Sequence, residues 1–223
     1  GTGQLLGFDV TGGTIALTGA GLDAQTTDYA ALLGRKIALG GPAYGKVLDV
    51  VGGAHRWDYQ ARTASALAGV GAAPDYAIDS TAVGGIYANR IRLIATEAGV
   101  GVRLLGDAAA VADDLTITAA GDLELRASIS AARDLAIAAG SAGAGDLTAS
   151  DTSLTAGRDL ALAAAGKTTL TGGAIVASGN LSLTSAALAD TTSATALANA
   201  NQRYAGGAMS FDIAGAATLG GTS

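Results

Sequence analysis

One feature constrains this chain more than any other: it repeats. Asp114-Leu115-Thr116-Ile117 is followed by Asp134-Leu135-Ala136-Ile137, Asp159-Leu160-Ala161-Leu162 and Asn180-Leu181-Ser182-Leu183, with Leu-to-Leu spacings of 20, 25 and 21 residues. Six residues before each later Leu comes a second triplet: Ile129-x-Ala131, Leu154-x-Ala156 and Ile175-x-Ala177, with Ala109-x-Val111 in the slot of the first repeat. A third run falls between them, at Leu123-x-Leu125, Leu147-x-Ala149 and, more weakly, around Leu170. Apolar residues at period two mark a strand with one buried face. Triplets this short, parted by Gly, Asp, Asn or Ser, predict short strands joined by tight turns. Three strands in each turn of about 20 residues describe a coil of a parallel β-helix, whose inward Leu, Ile, Val and Ala stack in columns.

Ala favours helix, but Gly recurs throughout, Thr and Ser fill the positions between, and no stripe at i, i+3, i+4, i+7 persists. The excess in the longest repeat lies at Gly140–Gly145, which reads as a turn drawn out into a loop. The expected organisation is coils over 1–51, a loop excursion over 52–79, regular coils over 80–185, a loop or irregular break over 186–207, and a resumed coil over 208–223. Residues 25–34 are expected to hold a short helical turn. Roughly nine coils are expected once the two breaks are set aside.

Composition removes several functions. The 223 residues contain no Cys, so there is no disulfide framework, thiolate zinc site or thiol nucleophile. A single histidine, His55, rules out an HExxH metalloprotease. A net charge of −6 argues against a nucleic-acid partner. No stretch is long and apolar enough for a membrane-spanning helix, and no leader segment is expected at the start. With Gly1 in place of an initiating Met, the sequence reads as a segment of a longer protein. No cofactor is implied. The regularly spaced aspartates before Leu are read as turn closers. Arg90, Arg92 and Arg103 are read as outward strand positions.

The one patch with binding character is His55-Arg56-Trp57-Asp58-Tyr59. His55, Arg56, Trp57 and Tyr59 are the candidate contacts for a ligand or partner: aromatic faces stack on sugars, and aromatics beside Arg are common protein hot spots. The alternative is that Trp57 and Tyr59 pack the excursion onto the shaft, and that His55 is a surface histidine.

The run Gly84-Gly85-Ile86-Tyr87-Ala88-Asn89-Arg90-Ile91-Arg92-Leu93-Ile94-Ala95-Thr96-Glu97-Ala98-Gly99-Val100-Gly101-Val102-Arg103 resembles a recurrent segment of filamentous-haemagglutinin-type exoproteins of two-partner secretion. The stretch Asp28–Leu33 to Leu48–Ala54 and the downstream Gly-Asp-Leu coils are similar to the same family. The resemblance implies a right-handed parallel β-helix, export from a Gram-negative bacterium through an outer-membrane transporter of TpsB type, and a secreted or cell-surface location. It implies a non-catalytic structural and adhesive shaft, with host-cell or bacterial-cell receptors or glycans as partners. The alternative is the shaft of a contact-dependent growth inhibition toxin-delivery protein. A polysaccharide-active β-helix enzyme is a remote third reading, since two convergent carboxylates would be needed and no pair is singled out. The family's Asn-Pro-Asn motifs are absent, which places the chain in expectation just after the secretion domain.

Overall fold

The computed structural model describes residues 3, 5–192 and 202–220. Its described residues form strands and turns, arranged as about eight coils of a parallel β-solenoid. Each coil runs through three faces, and each strand pairs in parallel with its equivalent in the next coil. The first face begins at Thr14–Leu17 and Lys36–Leu39 and runs on through Tyr76–Ser80, Gly101–Leu104 and Leu123–Leu125. The second carries Leu22–Ala24, Ala43–Gly45, Ile86–Ala88, Ala108–Ala110 and Ser128–Ala131. The third carries Ala30–Leu33, Leu48–Val51, Ile91–Ala95, Leu115–Ala119 and Leu135–Ala139.

The repeated triplets are these faces, and their apolar positions stack in register. Leu32, Val50, Leu93, Ile117, Ile137, Leu162 and Leu183 form one column on the third face. From Val50 onward its members are essentially inaccessible to solvent. The loop at Gly140–Gly145 leaves and rejoins the stack without disturbing it: the Gly140 amide donates to the Gly121 carbonyl, and the Gly145 carbonyl accepts from Gly166. Gly21 is required where it stands. Its φ is +73°, and a Cβ there would lie 1.8 Å from the carbonyl oxygen of Pro42 in the next coil.

The regularly spaced aspartates do something other than close their own turns. Asp114 Oδ1 accepts the backbone amide of Asp134, Asp134 Oδ1 that of Asp159, and Asp159 Oδ1 that of Asn180. Asn180 Oδ1 in turn accepts from Ala208. A parallel ladder joins Asp122 to Asp146 and Asp146 to Lys167. Each side chain thus satisfies an amide one coil further on. Because Asn180 fills the slot, the requirement is for an acceptor oxygen rather than a charge.

Three sequence expectations are corrected. Residues 25–34 hold no helical turn: Ala30–Leu33 is extended, because pairing with Leu48–Val51 and the inward slot of Leu32 override the helix propensity of Ala and Leu. Residues 52–79 are not a loop. They contain the strands His55–Asp58 and Thr63–Ala66, and the shaft is already re-entered at Tyr76. The strand Leu181–Thr191 runs well into 186–207, and Gln202–Ala205 is again a strand. The rest of that expected break, 193–201, lies outside the described residues.

Polar residues interrupt the columns at several points, and two of these bear on stability. Asp190 stacks on Leu170 and Arg203 on Ile175, so an ion pair occupies inward positions of the eighth coil, with side chains 13% and 12% exposed. Arg203 Nη1 also donates to the Gly173 carbonyl, which helps offset desolvation of the guanidinium. Thr168 sits between Leu147 and Leu188, fully buried, and its Oγ1 has no partner among the described residues. Thr168→Val keeps the shape and removes the stranded hydroxyl. It is expected to raise stability by about 1–2 kcal/mol, measured as a higher urea midpoint at unchanged slope.

Candidate functional site

The excursion forms a second sheet. Gly7–Val10 pairs antiparallel with His55–Asp58, which pairs antiparallel with Thr63–Ala66. Alternation sends Arg56 and Asp58 outward to solvent and His55 and Trp57 to the buried side. The surface beneath is the outside of the third face. Asp49 and Val51 point outward from the shaft there, opposite in phase to Leu48 and Val50, yet both are 0% exposed. Leu33 and Ile94 stand in register with Val51, so coils one to three carry an apolar outer stripe. The antiparallel sheet covers it.

Two charged clusters hold this sheet down. In the first, Asp49 accepts from Tyr29 Oη at 2.8 Å and from Arg92 Nε at 2.8 Å, with Arg92 Nη2 on its second oxygen. Arg92 Nη2 also donates to the carbonyl of Arg62 in the excursion, at 2.9 Å. The Arg62 guanidinium lies 3.9 Å over the Tyr29 ring. Burial, followed by the bond to Asp49, pushes the Tyr29 hydroxyl well above the ordinary tyrosine range. In the second cluster, Arg35 Nε and Nη2 grip the two oxygens of Glu97 at 2.9 and 2.6 Å, and Arg35 Nη1 donates to the Val70 carbonyl at 2.6 Å. Glu97 Oε2 accepts the Ala54 amide, and Thr96 Oγ1 donates to the Ala54 carbonyl, both at 3.1 Å. The Arg35 bond is the main reason Glu97 titrates below the usual glutamate value.

The four candidate contact residues separate. Trp57 is 1% exposed and offers no open ring face, and His55 is likewise buried rather than at the surface. The cause is their phase in the strand: both face the shaft. His55 Nδ1 lies 2.7 Å from the Gly53 carbonyl, so Nδ1 carries the proton and donates it. Nε2 is then a bare lone pair, buried without a partner among the described residues. Arg56 reaches solvent and pairs with Asp9 at 2.7 Å on the facing strand. Tyr59 is 53% exposed and lines a cleft of about 370 Å³ with Leu5, Tyr29, Gln60 and Arg62. Sequence reasoning missed Arg35, Asp49, Arg92 and Glu97 as a set. One signal was available: in Leu48-Asp49-Val50-Val51 the outward slots hold Asp and Val, and in the third coil Arg92 and Ile94, where coils four to seven carry Thr, Ala or Ser.

Burial lowers the His55 pKa below its ordinary value of 6.5, against the opposing effect of the Gly53 bond. A depressed base binds more protons unfolded than folded, so its contribution is complete above 6.5 and is lost as pH falls from there toward the folded value. Because the chain has one histidine, stability is expected to fall as pH drops below about 6.5, with a slope of at most about 1.4 kcal/mol per pH unit. His55→Gln should flatten that segment in urea titrations at stepped pH.

A larger cleft of about 730 Å³ runs along the first face, lined in part by Asp75, Tyr76, Asp122, Glu124, Arg126 and Asp146. Three of its carboxylates are committed: Asp122 and Asp146 accept coil-to-coil amides, and Glu124 accepts from Tyr76 and pairs with Arg126. Nearby, Arg103 pairs with Asp79 at 2.8 Å and stacks over the Tyr76 ring.

Comparison with known proteins now adds to this geometry. Residues 1–125 match the model of the TPS secretion domain. The chain is 46% identical over 123 residues to the tRNA nuclease CdiA-2 of Burkholderia pseudomallei strain 1026b, covering 55% of this chain and 4% of that protein. It is 39% identical over 129 residues to the 16S rRNA endonuclease CdiA of Enterobacter cloacae, covering 58% and 4%. It is 38% identical over 129 residues to the Toxin CdiA of Yersinia pestis, covering 57% and 4%. The chain therefore spans only about 4% of the length of these relatives. The crystal structure of a filamentous hemagglutinin secretion domain superimposes with a TM-score of 0.50 at 22% identity, over 96% of this chain and 54% of that one, which supports the fold. The match to residues 1–125 overturns the placement of the chain after the secretion domain: the coils through Leu125 and the excursion lie within it. The expectation had rested on missing turn motifs, whereas the likeness extends over columns and excursion together.

Proposed function

This chain belongs to the TPS secretion domain family, and from that premise we propose that it is the secretion domain and first shaft coils of a toxin-delivery exoprotein of the contact-dependent growth inhibition type. The observation that carries this reading is the 46% identity to CdiA-2 over 123 residues. The chain's own role is then non-catalytic. Its first coils are engaged by an outer-membrane transporter of TpsB type, and its later coils start a stiff shaft outside the cell. The nuclease activities named for the relatives belong to those proteins, of which this chain matches about one twenty-fifth. Contact with a receptor or glycan along this segment falls to Arg56 and Tyr59, the members of the aromatic cluster that reach solvent. An adhesive shaft is the second reading, supported by the likeness to the filamentous hemagglutinin domain.

The test is export. The chain, directed to the periplasm with and without its two-partner transporter, is expected in the medium only when the transporter is present. Equal amounts outside with and without it, or quantitative retention in the periplasm despite it, would overturn the proposal.

A further inference from the structure

We infer that the antiparallel sheet is a late-closing clasp: strands 55–58 and 63–66 dock on the shaft only after the segment 92–97 has joined the third coil. The residues that hold the sheet lie on both sides of it in the chain. Every residue that closes over the apolar stripe is present by Gly71. The groups that neutralise the charges buried beneath it are not. Asp49 is fully buried, and among the described residues its only cation is Arg92. Arg35, 6% exposed, has Glu97 as its only anion among the described residues. The Ala54 amide, at the base of the excursion, is taken by Glu97, and its carbonyl is shared by Thr96 and the Leu67 amide. The Arg62 carbonyl, in its turn, is taken by Arg92.

Suppose the sheet closed with the chain built only to residue 80. A carboxylate would be buried at Asp49 with a tyrosine hydroxyl but no cation, and a guanidinium at Arg35 with carbonyls but no anion. Burying an unpaired charge is strongly unfavourable, whereas a bidentate pair with further hydrogen bonds offsets most of that cost. Both deficits are removed by one short segment, because Arg92 and Glu97 lie five residues apart on the third coil and the turn after it. Gly53 strengthens the coupling: at φ +84° its backbone passes so close to Glu97 that a Cβ would lie 2.7 Å from the Glu97 amide nitrogen. The excursion therefore behaves as a reporter of coil completion. It stays open while the chain is short and closes once the third coil is laid down. The closing order is a property of the chain itself. If export proceeds as proposed above, the first coils remain unclasped until residue 97 has cleared the transporter.

The chain carries its own probe, since Trp57 is its sole tryptophan and lies on the buried side of the clasp. The full chain is diluted from urea, and pulsed hydrogen exchange with mass spectrometry follows segments 55–66 and 91–97 while Trp57 emission is recorded. Protection at 55–66 and the Trp57 blue shift are expected no earlier than protection at 91–97. In Glu97→Gln at equilibrium, exchange at 55–66 should speed by about a hundredfold or more, with Trp57 open to acrylamide and the strand circular dichroism retained. Asp134→Asn, which breaks the distant pair with Arg158, should leave Trp57 unchanged. Should Glu97→Gln fail to fold, the wild-type order still decides. Protection at 55–66 ahead of 91–97, or a folded Glu97→Gln with wild-type exchange, would overturn the inference. Neither readout involves a transporter, so failure here is distinct from failure of the export test.

Discussion

Asp49→Ala is expected to destabilise the chain by about 3–5 kcal/mol. The change removes the one fully buried carboxylate described in the shaft wall and leaves Arg92 and the Tyr29 hydroxyl facing a void. The guanidinium keeps only the Arg62 carbonyl among its described partners. Asp49→Asn should recover little, because an amide restores neither the charge nor a two-oxygen acceptor for the Arg92 fork. The double variant Asp49→Ala, Arg92→Met should lose less than Asp49→Ala alone, since no unpaired charge is then left in place. Urea unfolding of the four chains, followed by Trp57 emission and by circular dichroism, measures this. A double variant less stable than Asp49→Ala would show that the pair's cost is not electrostatic.

Leu93→Ala is expected to cost about 2–5 kcal/mol, through lost apolar burial and a cavity between Val50 and Ile117. The solenoid sharpens this expectation. Each coil contacts only its neighbours, so a gap in the third coil weakens two interfaces and nothing beyond them. Hydrogen exchange should therefore accelerate over coils two to four and leave the coils beyond residue 135 close to wild type. Uniform acceleration along the whole shaft would mean that it unfolds as one unit. The comparison also probes the third-face column directly, since Leu93 is fully buried.

The shaft could be read in advance because a β-solenoid writes its geometry into the chain as a period. Leu115, Leu135, Leu160 and Leu181 recur because each occupies the same slot one coil on. The excursion was less legible, for two physical reasons. Its strand His55–Asp58 pairs antiparallel with Gly7–Val10, some 45 residues earlier in the chain, a relation that no local pattern encodes. And the phase of a four-residue strand decides whether Trp57 faces solvent or shaft; that phase was fixed by the outer stripe at Leu33, Val51 and Ile94 rather than by the strand itself. The aspartates read locally as turn closers, but their acceptor role reaches across coils. A single repeat cannot reveal this, because donor and acceptor belong to different copies of it.

That cross-coil bond bears on how such a chain can grow. A carboxylate that served its own turn would make each repeat self-contained, and the junction between two repeats would need separate residues. Here every unit from Asp134 to Asn180 presents one oxygen ahead and one amide behind. A repeat copied into the gene between two others would arrive with both connectors in place and mate on either side without compensating changes. Lengthening the molecule by duplication then needs no new chemistry, and length becomes the property of this architecture most freely altered by inheritance.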